Sequence, residues 1–347
     1  MDDQQTKSQG KLGDIIKFVV FVGIGFFFIY WFLLKLDPEQ KRAIWDSFAH
    51  ANYFWVAVAM LCCMLSHFAR ALRWQLLYAP LGQMPRTSPT FGAVVVAYMA
   101  NLAFPRLGEV LRCAVLKSSD NIPVEKSLGT VVTERMFDVG AFGVIALVGI
   151  LVMMGVISDT EFYHTLTDKM TSLPSMALLL GLAVILLALS VILYVKLRQR
   201  LIKNKIFKKV DDLIVGCLDG VKSILHLGLK NTLLFLLYSL LIYLCYVLGG
   251  IIIFQAFAET QTLGMGAAFV LYLFGSVGMG LSQGGLGVYP VLVMQALALY
   301  GISEAVGTAA GWLLWGSQQA IIIVVGFAYM IYFSRAKRRN TNPENNQ

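Results

Sequence analysis

An all-α, polytopic membrane fold is what this sequence predicts, and three observations predict it. Of its 347 residues, 58% are hydrophobic and 14% charged, with a mean hydropathy of +0.70, where soluble chains carry about 25% charged residues. The apolar residues are gathered into runs, several of which reach the roughly 20 residues that a bilayer core requires. The polar stretches between the runs are too short to build a core of their own.

Taken in order, the apolar runs cover 16–35, 52–69, 90–104, 127–155, 174–195, 231–257, 264–281, 286–300 and 306–333. The opening tail, 1–15, precedes a run too long for a signal-peptide core and lacks a small-residue cleavage site, so 16–35 is expected as a retained helix. Lys and Arg set the orientation. Segment 196–230 is lysine-rich and amphipathic, which predicts a cytoplasmic stretch, either a helix lying on the leaflet or a solvated basic linker. The tail 334–347, with Arg335, Lys337, Arg338 and Arg339, is expected on the same side as the N-terminal tail. Loops 156–172 and 258–263 carry Asp159, Glu161, Asp168 and Glu259 against one lysine, and are expected outside. Together these features predict a bacterial cytoplasmic (inner) membrane protein with both termini cytoplasmic.

Two regions break the simple alternation. Run 90–104 lies between cytoplasmic charges and ends at Pro105, which predicts a re-entrant hairpin with 106–118 as its returning arm. Runs 264–281 and 286–300 meet at the uncharged Ser282-Gln283-Gly284-Gly285-Leu286-Gly287, which is read either as a second hairpin from outside or as two crossings. The expectation is about six full spans plus two re-entrant hairpins, or about eight spans, in one membrane domain over 16–333. With the second hairpin, the order of elements in 52–155 is repeated upside down in 231–333, which suggests an inverted-topology repeat, an architecture that places a substrate at the meeting of broken helices; two crossings would leave no such repeat.

The net charge of +8 sits beside the spans, as anionic headgroups and the positive-inside bias require, so no nucleic-acid partner is expected. Cys62, Cys63, Cys113, Cys217 and Cys245 have no metal-ligand spacing, and His50, His67, His164 and His226 form no cluster. No metal, cofactor or catalytic motif is therefore assigned.

Charge inside apolar runs is costly, and so marks function or a pairing network. Arg70 and Arg73 fall on one helical face beside Trp74, where two guanidinium forks suit a single phosphate; an interfacial anchor is the structural alternative. Asn101, Arg106, Gly108, Glu109 and Arg112 surround Pro105, and a helix beginning there offers free amides to an anion. Glu134, Arg135 and Asp138 lie within run 127–155, with Asp138 in reach of both at i,i+4 and i,i+3; a neutralised structural network is the alternative. Gln283, Gly284, Gly285 and Gly287 form a turn whose backbone amides can cradle an anion, although a tight hairpin needs glycine anyway. Gln318 and Gln319 are placed to bond to that turn.

The ordered set Arg70-x-x-Arg73-Trp74, Asn101-x-x-x-Pro105-x-x-Gly108-Glu109-x-x-Arg112, Glu134-Arg135-x-x-Asp138 and Gly284-Gly285-Leu286-Gly287 resembles the lysylphosphatidylglycerol synthase transmembrane-region family, also called flippase-like integral membrane proteins. The resemblance runs over about 50–333. It implies a translocase for lipids, without the soluble aminoacyltransferase domain of better-known members, so synthesis of lysylphosphatidylglycerol is not implied. Gln283 and Pro290 depart from the family pattern, which often has proline before the glycine pair and an acid soon after it.

The expected function is therefore movement of a phospholipid or polyprenyl-phosphate-type lipid between leaflets. Arg70, Arg73, Arg106 and Arg112 would hold the phosphate, and Glu109, Glu134 and Asp138 would balance them. Membrane lipids are the expected partners, together with an enzyme that supplies the lipid; the oligomeric state is open. The rivals are a membrane glycosyl- or acyltransferase with Glu109 or Asp138 as base, and a scaffold for a partner enzyme.

Overall fold

The structure, a computed structural model, describes residues 38–104, 106–157, 224 and 227–341. The expectations for 16–35, 174–195, most of 196–230 and the extreme termini lie outside the described residues. Within them, all extended regular structure is helical: α1 (Pro38–His50), α2 (Tyr53–Leu76), α3 (Thr87–Ala103), α4 (Leu107–Asp120), α5 (Val124–Ile157), α6 (Leu229–Phe254), α7 (Met265–Leu281), α8 (Val288–Ala298) and α9 (Glu304–Thr341). Among the described residues, three stretches are long and apolar enough to cross a membrane, Tyr53–Leu81, Leu229–Phe254 and Glu304–Ser334. Their outward leucines and aromatics, among them Leu61, Leu240, Val324 and Phe327, stay uncovered, as side chains facing lipid do. At 1.5 Å per residue, α7 reaches only about 25 Å and α8 about 16 Å, short of the roughly 30 Å hydrocarbon core.

The chain divides into two compact units, one containing Val132–Leu225 and the other the residues on either side of it. In the larger unit, α2 and α6 run antiparallel. Asn52 N donates to Ala256 O at 2.8 Å, Cys62 Sγ to Cys245 O at 3.4 Å, and Arg73 Nη1 to Ser239 Oγ at 3.1 Å, so partner numbers fall as α2 advances. Asn52 also caps α2, its side chain accepting from Phe54 N. A core of Val56, Phe254, Ala268, Leu271, Val293, Leu297 and Leu314 joins α2, α6, α7, α8 and α9. Small residues let the backbones approach: a Cβ on Gly311 would lie 2.8 Å from Pro290 Cα, and one on Gly307 3.2 Å from Met294 Cα.

The ends of the short helices pair up. Arg86 Nε bonds Asp120 Oδ1 at 2.8 Å, which brings the start of α3 and the end of α4 to one end of the unit. Ser88 Oγ lies 3.4 Å from Tyr329 Oη, late in α9. At the beginning of α9, Ser303 Oγ donates to Glu259 Oε2 at 3.1 Å, so α7 starts and α8 finishes at the opposite end. Each pair turns through left-handed backbone. Arg106 has φ 64° between α3 and α4, while Gly284 and Gly287 have φ 60° and 74° between α7 and α8. For Arg106 that conformation costs roughly 1–2 kcal/mol.

In the smaller unit, Arg135 Nη1 and Asp138 Oδ2 stand 3.8 Å apart in the i,i+3 relation expected of them, and Glu134 is fully buried.

Candidate functional site

The two helix breaks meet. The side chain of Gln283 donates through Nε2 to the backbone oxygen of Asn101. Gly284 lies against Leu102, so closely that a Cβ there would come within 2.7 Å of the leucine methyl. Trp315 Nε1, from α9, donates to Gly284 O at 2.7 Å. Asn101 also stabilises its own break, because its Oδ1 accepts from Gly108 N at 2.8 Å. That contact requires glycine at 108: a Cβ would lie 2.7 Å from Ala97 C and 2.8 Å from Asn101 Cγ, and it is backbone that would have to move.

Beside this junction lies a cavity of about 540 Å³, within the usual range for a small-molecule site. Its walls come from α2, α3, α6, α7, α8 and α9. Of the residues expected from sequence to bind a ligand, Asn101, Arg106, Gln283 and Gly284 line it. Gly285 packs at the junction, where a Cβ would meet Tyr289 Cβ at 3.1 Å and Trp315 Nε1 at 3.3 Å, and Gly287 turns the chain into α8. Gln318 and Gln319 also line the cavity, while the side-chain bond to Gly284 comes from Trp315, one turn earlier.

The arginines do not converge on one point. Arg70 and Arg73 occupy one face of α2 as expected, yet they engage α6 at positions two turns apart. Arg70 Nη2 donates to Tyr246 Oη at 2.9 Å and lies 5.6 Å from the Tyr98 ring centre. Arg73 is fully buried on Ser239, 5.3 Å from the Phe235 ring centre. Arg112 is buried 4.5 Å over the ring of Trp74, whose Nε1 donates to Thr130 Oγ1 at 2.9 Å. Stacking of this kind suits the flat, weakly hydrated guanidinium. Arg70 thus reaches the cavity through Tyr246, whereas Arg73 and Arg112 brace helices around it. Glu109 is half-buried on α4, its carbonyl accepting from Cys113 Sγ. Glu134, Arg135 and Asp138 belong to the smaller unit.

The structure adds an aromatic wall that sequence reasoning missed. Tyr98, Tyr246, Tyr272 and Tyr289 line the cavity with His67 and Ser276. Tyr246 and Tyr272 stack at 5.7 Å and 13°, and His67 lies 4.4 Å from the Tyr98 ring centre. His67 is 3% exposed, and its Nδ1 has no hydrogen-bond partner among the described residues. The available signal, for Tyr98, Tyr246 and Tyr272, was tyrosine inside a helix, away from the ends where interfacial aromatics gather; Tyr289, at the start of its helix, gave none. Among the described lining residues, Arg106 is the one guanidinium and no carboxylate occurs.

Apolar helices of spanning length around a cavity that carries a few polar side chains, with broken helices meeting at its edge, define a multi-pass membrane protein with an internal cavity. The chain belongs to the lysylphosphatidylglycerol synthase TM region family, whose model matches residues 15–326. It is also similar to a protein of Haloferax volcanii named glycosyltransferase AglD, at 24% identity over 324 residues. The match takes in 86% of this chain and 51% of that protein, so the chain spans about half the length of this curated relative. No solved structure matches it.

Proposed function

We propose that this protein is a flippase-like lipid translocase of the bacterial inner membrane, moving a phospholipid or polyprenyl-phosphate-type lipid between leaflets. The observation that carries the reading is the cavity at the junction of two helix breaks, largely apolar in its lining but supplied with amides, hydroxyls and cations in Arg106 and, through Tyr246, Arg70. A lipid phosphate needs such polar groups on its path through a medium that otherwise excludes it. Arg106 is the proposed phosphate ligand, with Asn101, Gln283 and the Gly284–Gly287 turn around the headgroup. Arg73 and Arg112 pack between the surrounding helices, and Glu109, Glu134, Arg135 and Asp138 remain proposed lipid-binding residues.

On this reading α3–α4 and α7–α8 are two re-entrant hairpins entering from opposite faces. The pairing of Arg86 with Asp120 at one end and of Ser303 with Glu259 at the other supports it, as do the short α7 and α8. The halves 52–155 and 231–333 then form an inverted repeat, with the antiparallel α2 and α6 as equivalent helices and the two breaks as equivalent tips. About six full spans complete the domain, with both termini cytoplasmic. Rocking of one half against the other would alternate access to the cavity.

The test is sidedness of labelled lipid in liposomes containing the purified chain, with Arg106→Gln and Gln283→Leu as variants. Transfer by the wild type that is lost in folded Arg106→Gln supports the reading. Absence of transfer for anionic phospholipids and polyprenyl phosphate alike, in folded protein, refutes it. The similarity to half of a protein named a glycosyltransferase favours a second reading, in which this membrane domain presents a polyprenyl-type lipid to a partner enzyme. That reading predicts co-purification with a transferase and no transfer in liposomes.

A further inference from the structure

We propose that the cavity selects an anionic, hydroxyl-bearing phosphodiester headgroup, one ending in glycerol, inositol or a sugar, over a headgroup that ends in an ammonium group. The proposal rests on reading this cavity as a headgroup site, and it concerns the chemistry of the ligand rather than its movement.

Charge comes first. Arg106 lines the cavity and Arg70 stands behind it through Tyr246, while the described lining residues include no carboxylate. An ammonium brought here would meet cations of its own sign, the exposed Arg106 and the buried Arg70, the second poorly screened by water. Its alternative would be an aromatic cage, which needs several open ring faces. The four tyrosines are already engaged. Tyr98 meets Arg70 and His67, Tyr246 and Tyr272 stack on each other, and Tyr289 lies over Gly275, where a Cβ would come 2.7 Å from its ring.

What the walls do present is neutral hydrogen-bonding chemistry. Gln318 and Gln319 from α9, Ser276 from α7 and the phenol of Tyr246 each combine donor and acceptor capacity. Accepting from the Arg70 guanidinium polarises the Tyr246 hydroxyl and makes it the better donor. A hydroxyl is likewise donor and acceptor at once, so a polyol matches amides and phenols where a methyl or an ammonium cannot. Leaving a site's buried polar groups unmatched penalises the wrong ligand strongly, as selectivity for hydroxylated over deoxy substrates shows.

The experiment measures binding to the purified full chain in detergent by isothermal titration with four short-chain probes. These are dihexanoyl phosphatidylglycerol, phosphatidylmethanol (the same charge without hydroxyls), lysyl-phosphatidylglycerol (a terminal ammonium) and free glycerophosphate. Phosphatidylglycerol is expected to bind about ten-fold more tightly than phosphatidylmethanol, two neutral hydrogen bonds' worth, and more tightly still than the lysyl lipid. The double variant Gln318→Leu/Gln319→Leu should lose the preference over phosphatidylmethanol while still binding phosphatidylmethanol; Tyr246→Phe should lower that preference, its folding checked separately because it also removes an acceptor of the buried Arg70. Arg106→Gln should weaken both phosphodiesters together. Glycerophosphate binding as tightly as the lipid would keep the chemistry and assign it to a soluble ligand, whereas weaker binding assigns it to lipid. The proposal is overturned if the lysyl lipid binds as well as phosphatidylglycerol, or if Tyr246→Phe and the double variant both retain the full preference. Liposome transfer of anionic lipids regardless of headgroup would leave the translocase reading standing and sink this one. Selective binding without transfer would do the reverse.

Discussion

Replacing Gly108 with alanine tests the junction at its tightest point. The new Cβ would run into Ala97 O and lie 2.7 Å from Ala97 C and 2.8 Å from Asn101 Cγ, so α3 and α4 must part by roughly 1.2–1.5 Å before an ordinary C···O contact of about 3.3–3.6 Å is restored. Overpacking of that order costs about 1–3 kcal/mol. The same movement stretches the 2.8 Å bond from Gly108 N to Asn101 Oδ1, and side-chain hydrogen bonds in membrane proteins are worth about 0.6 kcal/mol on average and at most ~1.7. Alanine's better helix propensity returns no more than about 1 kcal/mol. The net expectation is destabilisation by about 2–3 kcal/mol, a shift of roughly 30- to 150-fold in the folded population. Gly249→Ala is the control, because a Cβ there meets no heavy atom within 4 Å. Unfolding each variant in detergent by titration with sodium dodecyl sulphate gives the comparison. If Gly108→Ala unfolds at the same midpoint as wild type and Gly249→Ala, the close approach of α3 to α4 is wrong.

Other substitutions separate structural from functional polar groups. Trp74→Phe removes the donor to Thr130 and the large ring beneath Arg112, and should cost about 1–3 kcal/mol in the same titration; a double-mutant cycle with Thr130→Val should yield a coupling of about 1 kcal/mol. Arg86→Ala breaks an ion pair whose arginine side chain is 67% exposed, so its effect should stay below about 1 kcal/mol and shrink with added salt. Trp315→Phe keeps an aromatic ring but loses the bond to Gly284 O. It should change stability by roughly 1 kcal/mol or less while altering the liposome transfer rate several-fold; an unchanged rate would separate the junction from transport.

Much of the helical framework was legible because it follows from run length and charge placement. The breaks near Pro105 and at Gly284–Gly287 could be located, since proline, glycine and uncharged polar residues interrupt apolar runs for local reasons. Run 52–69 continues as helix to Leu76 because Arg70, Arg73 and Trp74 find partners inside the fold rather than in water. That is where local reading stopped. Arg70 and Arg73 share a helical face, which suggested a joint grip on one ligand, but an i,i+3 spacing says nothing about the helix opposite. Ser239 and Tyr246 lie more than 160 residues along the chain. The aromatic wall was hidden for a similar reason: tyrosine in an apolar run passes as filler until a neighbouring helix shows what its hydroxyl faces. The carboxylates and arginines stood out, whereas the amides and phenols that line the cavity did not.

The junction itself constrains how a translocase could work. Its polar ties are Gln283 to Asn101 O and Trp315 to Gly284 O, with Leu102 seated on Gly284. Separating the tips would break the Gln283 bond and expose one leucine side chain, and moving the α7–α8 tip away from α9 would break the Trp315 bond as well, a cost of a few kcal/mol at the values typical of membrane helices. Such a gap leaves the open state populated at the per cent level or below, and accessible on the microsecond-to-millisecond scale of collective helix motion. A headgroup that bonds to Gln318, Gln319 and Tyr246 adds contacts without touching those ties. It can shift the balance only if the cavity's shape differs between the closed and open states, because a ligand moves an equilibrium by its differential affinity alone. The Gly108 contact keeps the α3–α4 tip rigid, so the movement falls to the α7–α8 side, where three glycines of positive φ turn the chain. Cross-linking cysteines placed at Leu102 and Gly284 should therefore stop transfer, and reduction should restore it. Transfer that continued through the cross-link would mean that the tips never part and that lipid passes by another route.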